Sequence, residues 1–326
     1  MKAITPISIC TILILILISG CAQVISDKEV WSYPVNYPEI LDNAEKGDNQ
    51  AQEEIAKLIY KGVMPYPQKK KRDDGTLFYW LIENDYNESF ERKVARFFFT
   101  GGDWFDSKEI LKEILIKAEQ GDPYAQRVMG CCDCYTGSGE ISFKEKKEWN
   151  LKAAKQGHAA AQLMLASIYF QGHDVEKNIS EGIKWLKMAS KSGLPRAQRV
   201  LGDFYYSGKI IKKDINLAYE LYISAAKRGD IDSQYLLAMY HLDMTDLSYM
   251  TDLSFPIMKN KDKGLEWLAK ASNNCDVDAM AYYGYCYLTG KHVPLNHLKG
   301  IEILKKAAYF GSKDAIEILD TTTRIK

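Results

Sequence analysis

The sequence predicts an all-α chain whose helices pair and stack into a solenoid with a period of about 36 residues. Three observations carry this. Gln126, Gln162, Gln198 and Gln234 are spaced 36 residues apart. Gly121, Gly157, Gly193 and Gly229 keep the same step. The stretch from Ala161 to Gln198 holds two amphipathic segments separated by a glycine loop. A fixed period of this size marks a repeat array, in which a helix pair buries its apolar face only against its neighbours.

The composition agrees. The chain has 326 residues, 46% hydrophobic and 26% charged, which is a globular rather than a disordered balance. Its formal charge is zero, so it carries no electrostatic footprint for nucleic acid. The basic run Lys69–Arg72 is followed at once by Asp73 and Asp74 and reads as a solvated loop.

Taken in order, the chain opens on Lys2 and an apolar run from Ile7 to Ile18, followed by Ser19-Gly20-Cys21. That run is too short to cross a bilayer comfortably and suits the core of a secretory signal. Gly47, Asp48, Gln52 and Gly62 then outline a first helix. Residues 65–106 match the period poorly. Residues 76–84 and 90–100 are expected to be helices of degenerate repeats, beside an irregular loop holding Pro65 and Pro67. Five clear units start near residues 122, 158, 194, 230 and 276.

Within a unit the residue types follow helical logic. Asp48, Asp122, Asp230 and Asp276 stand where an N-cap belongs, and Pro123 suits a first helical turn. Three residues after the glutamine comes a large apolar side chain (Met129, Leu165, Leu201, Leu237), and four after it a small one (Gly130, Ala166, Gly202, Ala238) that lets a partner helix approach. Seven after it come Tyr169, Tyr205 and His241. Gly172, Gly208 and Gly290 are placed to end the first helix in a left-handed turn. Asn178 to Glu181 reads as the capped start of a second helix, whose buried stripe includes Trp185, Leu186 and Ala189, then Leu221, Tyr222, Ala225 and Ala226 one unit on. The fourth unit departs from the pattern. It carries ten extra residues, built on a near-duplicate of residues 244–249 in 250–255, and Cys275 takes the place of the closing glycine.

This skeleton, from Ala-Gln through Leu-Gly/Ala, Tyr, Gly, Trp and Ala-Ala to Gly, resembles the Sel-one-like repeat family, relatives of tetratricopeptide repeats. The resemblance covers residues 110–320 and implies a right-handed α/α solenoid whose first helices line a concave, partner-binding surface. Ile18-Ser19-Gly20-Cys21 resembles the bacterial lipobox, which implies a lipoprotein signal peptide in residues 1–20 and lipidation at Cys21. Ala22 after the cysteine then implies the outer membrane, facing the periplasm. The expected organisation is a signal peptide in 1–20, a lipidated tether in 21–38, degenerate repeats with an irregular loop in 39–109, the solenoid in 110–320 and a tail in 321–326.

Little in the sequence points to catalysis. Ser224 and Lys227 match a serine–lysine pattern, yet Ala225-Ala226-Lys227 is what the repeat supplies, as in Ala153-Ala154-Lys155, and the companion elements of that enzyme class are absent. Cys131, Cys132 and Cys134 are clustered, with Cys275 and Cys286 far off and no histidine at ligand spacing. Buried thiols, one local disulfide and a metal site are the three states open to them. The expectation is no cofactor, no metal and no enzyme.

Binding is the remaining chemistry. Positions one, five and eight after the glutamine form a stripe that varies between units and carries aromatic residues and Met, which anchor partners well. The candidate partner-binding residues are Leu163, Ser167, Phe170, Arg199, Asp203, Tyr206, Tyr235, Met239 and Tyr285. The alternative for Phe170, Tyr206 and Leu242 is packing against the second helix. Three roles compete: an envelope scaffold or assembly adaptor, an immunity lipoprotein that neutralises an envelope toxin such as a phospholipase, and a peptidoglycan or β-lactam hydrolase.

Overall fold

A computed structural model describes residues 49–61, 89–100, 107–131, 142–172, 176–243, 257–274 and 276–324, together with 39–40, 43–44, 46, 48, 135–136, 139–140 and 255. The signal segment, Cys21, the tether, residues 76–84, the lysine run, Cys132, Cys134 and Cys275 lie outside the described residues. Fourteen helices make up the described fold: α1 Asn49–Lys61, α2 Phe90–Thr100, α3 Ser107–Glu119, α4 Pro123–Cys131, α5 Phe143–Lys155, α6 Ala159–Gln171 and α7 Ile179–Lys191. There follow α8 Pro195–Ser207, α9 Ile215–Lys227, α10 Ile231–Leu242, α11 Lys261–Asn273, α12 Val277–Thr289, α13 His297–Tyr309 and α14 Lys313–Arg324. Two short strands, β1 Tyr135–Thr136 and β2 Gly139–Glu140, pair antiparallel between α4 and α5. The all-α class holds. Helix α14 carries on to Arg324, through most of the expected tail.

The described residues from Asn43 onward divide into two compact units, and the division falls inside α8, between Leu201 and Gly202. In the first unit, α2 joins α3 through the Lys93–Glu113 ion pair (3.1 Å) and through Val94, which packs with Ile110, Leu111 and Ile114. In the second, a core from Ala218 to Ala279 gathers Tyr222, Leu237, Trp267 and Leu268. A smaller core joins Met280, Leu304, Ala307 and Ala315.

The repeated residues do identifiable work. Each glutamine side chain donates to a carbonyl eight residues back, at the end of the preceding second helix: Gln126 to Ala118 (3.0 Å), Gln162 to Ala154 (3.2 Å), Gln198 to Ser190 (3.4 Å) and Gln234 to Ala226 (2.9 Å). Gln52 does the same to Ala44 (3.0 Å). Helix ends leave their last carbonyls unsatisfied, so a buried side-chain donor there both completes the helix and fastens the next one to it. This is why the glutamine keeps the period.

The caps follow the sequence. Asp48, Asp122, Asp230 and Asp276 each accept the N–H three residues on. Asn178, Asp214, Asn260 and Asn296 do so for the second helices. The glycine that closes a unit, for example Gly157 (φ 89°), takes the left-handed place of a Schellman motif: His158 N–H bonds Ala153 C=O (3.1 Å) and Gly157 N–H bonds Ala154 C=O (3.0 Å).

The fourth unit explains its own departure. In regular units the N-cap N–H of the second helix bonds the backbone carbonyl of the repeat tyrosine, as Asn178 to Tyr169, Asp214 to Tyr205 and Asn296 to Tyr287. Here the longer connection brings the Asn260 N–H to the side chain of His241 instead, at Nδ1 (3.1 Å). Nε2 of the same ring meets the Tyr219 hydroxyl at 3.0 Å. The histidine replaces tyrosine because its ring supplies the acceptor that the displaced backbone no longer reaches.

Candidate partner-binding surface

The stripe of nine candidates divides sharply. Leu163, Ser167 and Phe170 on α6, Arg199 on α8, and Tyr235 and Met239 on α10 are all buried, none more than 8% exposed. Asp203 and Tyr206 on α8 are half-buried, and Tyr285 on α12 is exposed. The expectation of a partner-facing stripe through all four helices is therefore corrected: six of its side chains are enclosed by this chain.

The eighth position shows the reason. A Cβ built on Gly182, near the start of α7, would overlap the ring of Phe170. One on Gly264 of α11 would meet Leu242 Cγ at 2.7 Å, and one on Gly300 of α13 would meet Leu288 Cγ at 3.0 Å. In these three units the eighth residue thus packs over a glycine of its own second helix. The fourth position is the reciprocal contact: a Cβ on Gly202 would lie 3.0 Å from Tyr222, and one on Gly284 2.7 Å from Leu304. Phe170 and Leu242 are packing residues.

Tyr285 stands in a tyrosine-rich helix. Its ring lies 6.2 Å from that of Tyr282, and the Lys291 ammonium sits 5.7 Å from the Tyr282 ring. On the same helix Tyr283 and Tyr287 share a hydroxyl contact of 3.2 Å. Lys299 donates to the Tyr287 hydroxyl at 2.8 Å, which holds that phenol below its ordinary range. Burial pushes Tyr283 up. The exposed Tyr285 ring offers stacking, and the Lys291 charge lies over its half-buried neighbour Tyr282.

Sequence reasoning missed a second cluster. The ring of Phe255, from the fourth-unit insert, sits among Tyr206 (5.5 Å between centroids), Tyr219 (5.1 Å), Tyr222 (6.0 Å) and Tyr240 (4.8 Å). The Tyr222 hydroxyl donates to Asp203 Oδ1 at 2.7 Å, and that of Tyr240 donates to the Phe255 carbonyl at 3.0 Å and also reaches the Ile257 carbonyl. The signal was present in the period: Tyr222 stands where neighbouring units have Leu186, Leu268 and Leu304, and Tyr219 where they have Ile183 and Leu265.

Lys227 is exposed at the end of α9, with Ser224 half-buried one turn before it. Among the described residues no three His, Cys, Asp or Glu side chains converge as they would around a metal ion. Cys131 and Cys286 are buried thiols, and burial pushes Cys286 up to about 11. No described helix is long and apolar enough to cross a membrane.

The Sel1 repeat family matches residues 159–194, 195–230, 231–274 and 277–309. Four stretches of the chain thus match the Sel1 repeat. Each match holds one glutamine-position first helix and its second helix, and the helix pair α4–α5 ahead of them uses the same glutamine clamp through Gln126. The chain is similar in structure to a Sel1 repeat protein of Oxalobacter formigenes, with 24% identity over 88% of this chain and 79% of that one and a TM-score of 0.58. It also aligns with c5321, a protective antigen of uropathogenic Escherichia coli strains with an SLR fold, at 22% identity over 86% of this chain and 66% of that one, with a TM-score of 0.47. No curated protein matches the chain. Sel1 repeats commonly mediate protein–protein interaction rather than catalysis.

Proposed function

We propose that this chain is a membrane-anchored envelope protein that holds another protein or peptide on the surface of its first helices, as a scaffold or assembly adaptor. The observation that carries the reading is Tyr285. It keeps an exposed aromatic ring at a stripe position that the preceding units bury as Ser167 and Met239. Aromatic anchors beside charge are the side chains that dominate such interfaces. Asp203 and Tyr206 extend the surface on α8.

The test is affinity capture of the mature protein from its own envelope, beside a Tyr206→Ala/Tyr285→Ala variant. Capture is expected to fall at least tenfold in the variant with unchanged far-UV circular dichroism, because each anchor contributes about 1–2 kcal/mol or more. Equal capture by the two proteins sinks this surface. Several components of one machine support an adaptor, whereas one stoichiometric secreted hydrolase would turn the reading to an immunity protein.

The anchor is a separate part of the proposal and rests on Ile18-Ser19-Gly20-Cys21. Stable anchoring needs more than one acyl chain, and a lipidated N-terminal cysteine supplies them. Cys21→Ala is expected to move the protein from the membrane to the soluble fraction and to abolish labelling by a fatty-acid probe. Retention of both would remove the lipoprotein assignment.

A further inference from the structure

We propose that the edge of the second unit where α9, α11 and α13 begin rests on an anionic phospholipid surface, with lysines meeting the headgroups and Met258, Leu295 and Leu298 entering the layer beneath. This goes beyond the reading above and needs neither the acyl anchor nor the partner surface.

The charge comes first. The chain as a whole is neutral, yet the stretches 208–214, 257–263 and 290–299, which lead into those helices, hold eight lysines against Asp214 and Asp262. All eight are exposed. Asp243 pairs with Lys259, and the remainder is still strongly positive. The corresponding connection of the preceding unit, 172–178, has Lys177 against Asp174 and Glu176, so the excess belongs to the second unit and not to the repeat. The three stretches adjoin. Lys213 lies over the Tyr206 ring (5.8 Å), and that ring packs on Phe255, just ahead of the second stretch. Burial, then the charges of Lys291 and Lys261, hold His292 below its ordinary range, which sets a lysine of the second stretch within electrostatic reach of the third.

Among the described residues the three most exposed large apolar side chains are Met258 (90%), Leu298 (84%) and Leu295 (58%), and all stand in these stretches. Scattered singly such residues are ordinary, but grouped and ringed by lysines they mark a contact surface. The two residue types share places in the repeat: Leu295 stands one residue before its N-cap, where the other stretches have Lys213 and Lys259. A bilayer interface accepts that mixture without shape complementarity. Anionic headgroups meet the ammonium groups, while the lysine stems and the apolar side chains reach the acyl boundary. A folded protein would have to supply a separate pocket for each protruding side chain and a carboxylate for each lysine.

The experiment uses residues 22–326, which include every described residue and carry no acyl chain, sedimented with vesicles of phosphatidylcholine alone or mixed with phosphatidylglycerol. Binding is expected to be at least about tenfold tighter to the mixed vesicles and to fade as salt is raised. Lys212→Gln/Lys213→Gln/Lys261→Gln/Lys291→Gln is expected to weaken it at least about tenfold. Met258→Ser/Leu298→Ser removes no charge and is expected to weaken it about tenfold with the salt dependence retained. Every altered side chain is exposed, so far-UV circular dichroism should match wild type; should the lysine variant lose helicity, the serine variant carries the test. Equal binding to the two kinds of vesicle, no binding, or binding that a folded variant leaves intact overturns the proposal. Capture of an acidic envelope protein through these lysines, without vesicle binding, would give the edge to a protein and overturn it too.

Discussion

Leu237→Ala is expected to destabilise the second unit by about 3–5 kcal/mol. The side chain is wholly buried in the middle of α10, inside the core that also holds Tyr222, Ala238, Trp267 and Leu268. Two things are lost on truncation, the transfer of the removed carbons and the contacts of the atoms left lining the gap, and a well-packed site recovers little by collapse. Helices on either side fix the gap here: α9 contributes Tyr222 and α11 contributes Leu268. Repeat arrays do not unfold as one block, so a single melting temperature would blur the effect. Amide hydrogen exchange resolves it: protection should fall most in α10, then in α9 and α11. Ile316→Ala, at a side chain 44% exposed, is the control and should shift stability by less than about 0.5 kcal/mol. Similar losses for the two variants would mean that α10 is not the centre of this core.

The period made most of this fold legible. Asp48, Asp122, Asp230 and Asp276 cap helices because a short carboxylate at that place satisfies an otherwise orphaned N–H, a relation local enough to read from the chain. The small fourth position was legible for a similar reason, since a helix crossing closely admits no large side chain. The glutamine was legible as a marker but not as a mechanism. Its acceptor lies eight residues back on another helix, and no helical spacing rule pairs positions across a turn.

The surface was harder to read than the core. Phe170 and Met239 vary from unit to unit as contact residues do, yet they are buried, because a varying side chain over Gly182 or in the α10 core is compensated by its opposite number. Variation between repeats reports on paired packing as readily as on partners. His241 looked like decay of the pattern; it is the compensation for a longer connection, visible only once Asn260 is placed beside it. The tyrosine cage escaped for the same reason. Tyr206, Tyr219, Tyr222 and Tyr240 are far enough apart in sequence that only the stacking of α8, α9 and α10 gathers them around Phe255.

His158 makes the stability of the first unit fall as the solution becomes acid. In this unit the N-cap is a histidine where Asp48, Asp122, Asp230 and Asp276 cap other first helices, and its Nδ1 accepts the Ala161 N–H at 3.3 Å. An accepting nitrogen is unprotonated, so the native ring is neutral. Burial first, and then the Arg127 guanidinium, hold its pKa well below the ordinary 6.5. The unfolded chain therefore binds a proton as pH drops through about 6.5 while the folded chain does not, and stability declines by about 1.4 kcal/mol per pH unit below that point. The contribution is complete above pH 6.5 and is lost on the acid side. Asp276 acts in the opposite sense: burial raises its carboxyl to about 7, so the folded state takes up a proton there and gains stability as pH falls from about 7 toward 3.8. A bare pH profile of the wild type would partly cancel the two. His158→Asn separates them, since asparagine is a good N-cap acceptor that cannot titrate. Urea unfolding at pH 7.5, 6 and 5 should show the variant gaining on the wild type progressively as the pH falls below about 6.5, by no more than about 1.4 kcal/mol per pH unit. Parallel curves would show that the ring takes up its proton without breaking the cap, and that the histidine serves its edge-on contact with the Tyr124 ring, 5.4 Å between centroids, rather than its neutral nitrogen.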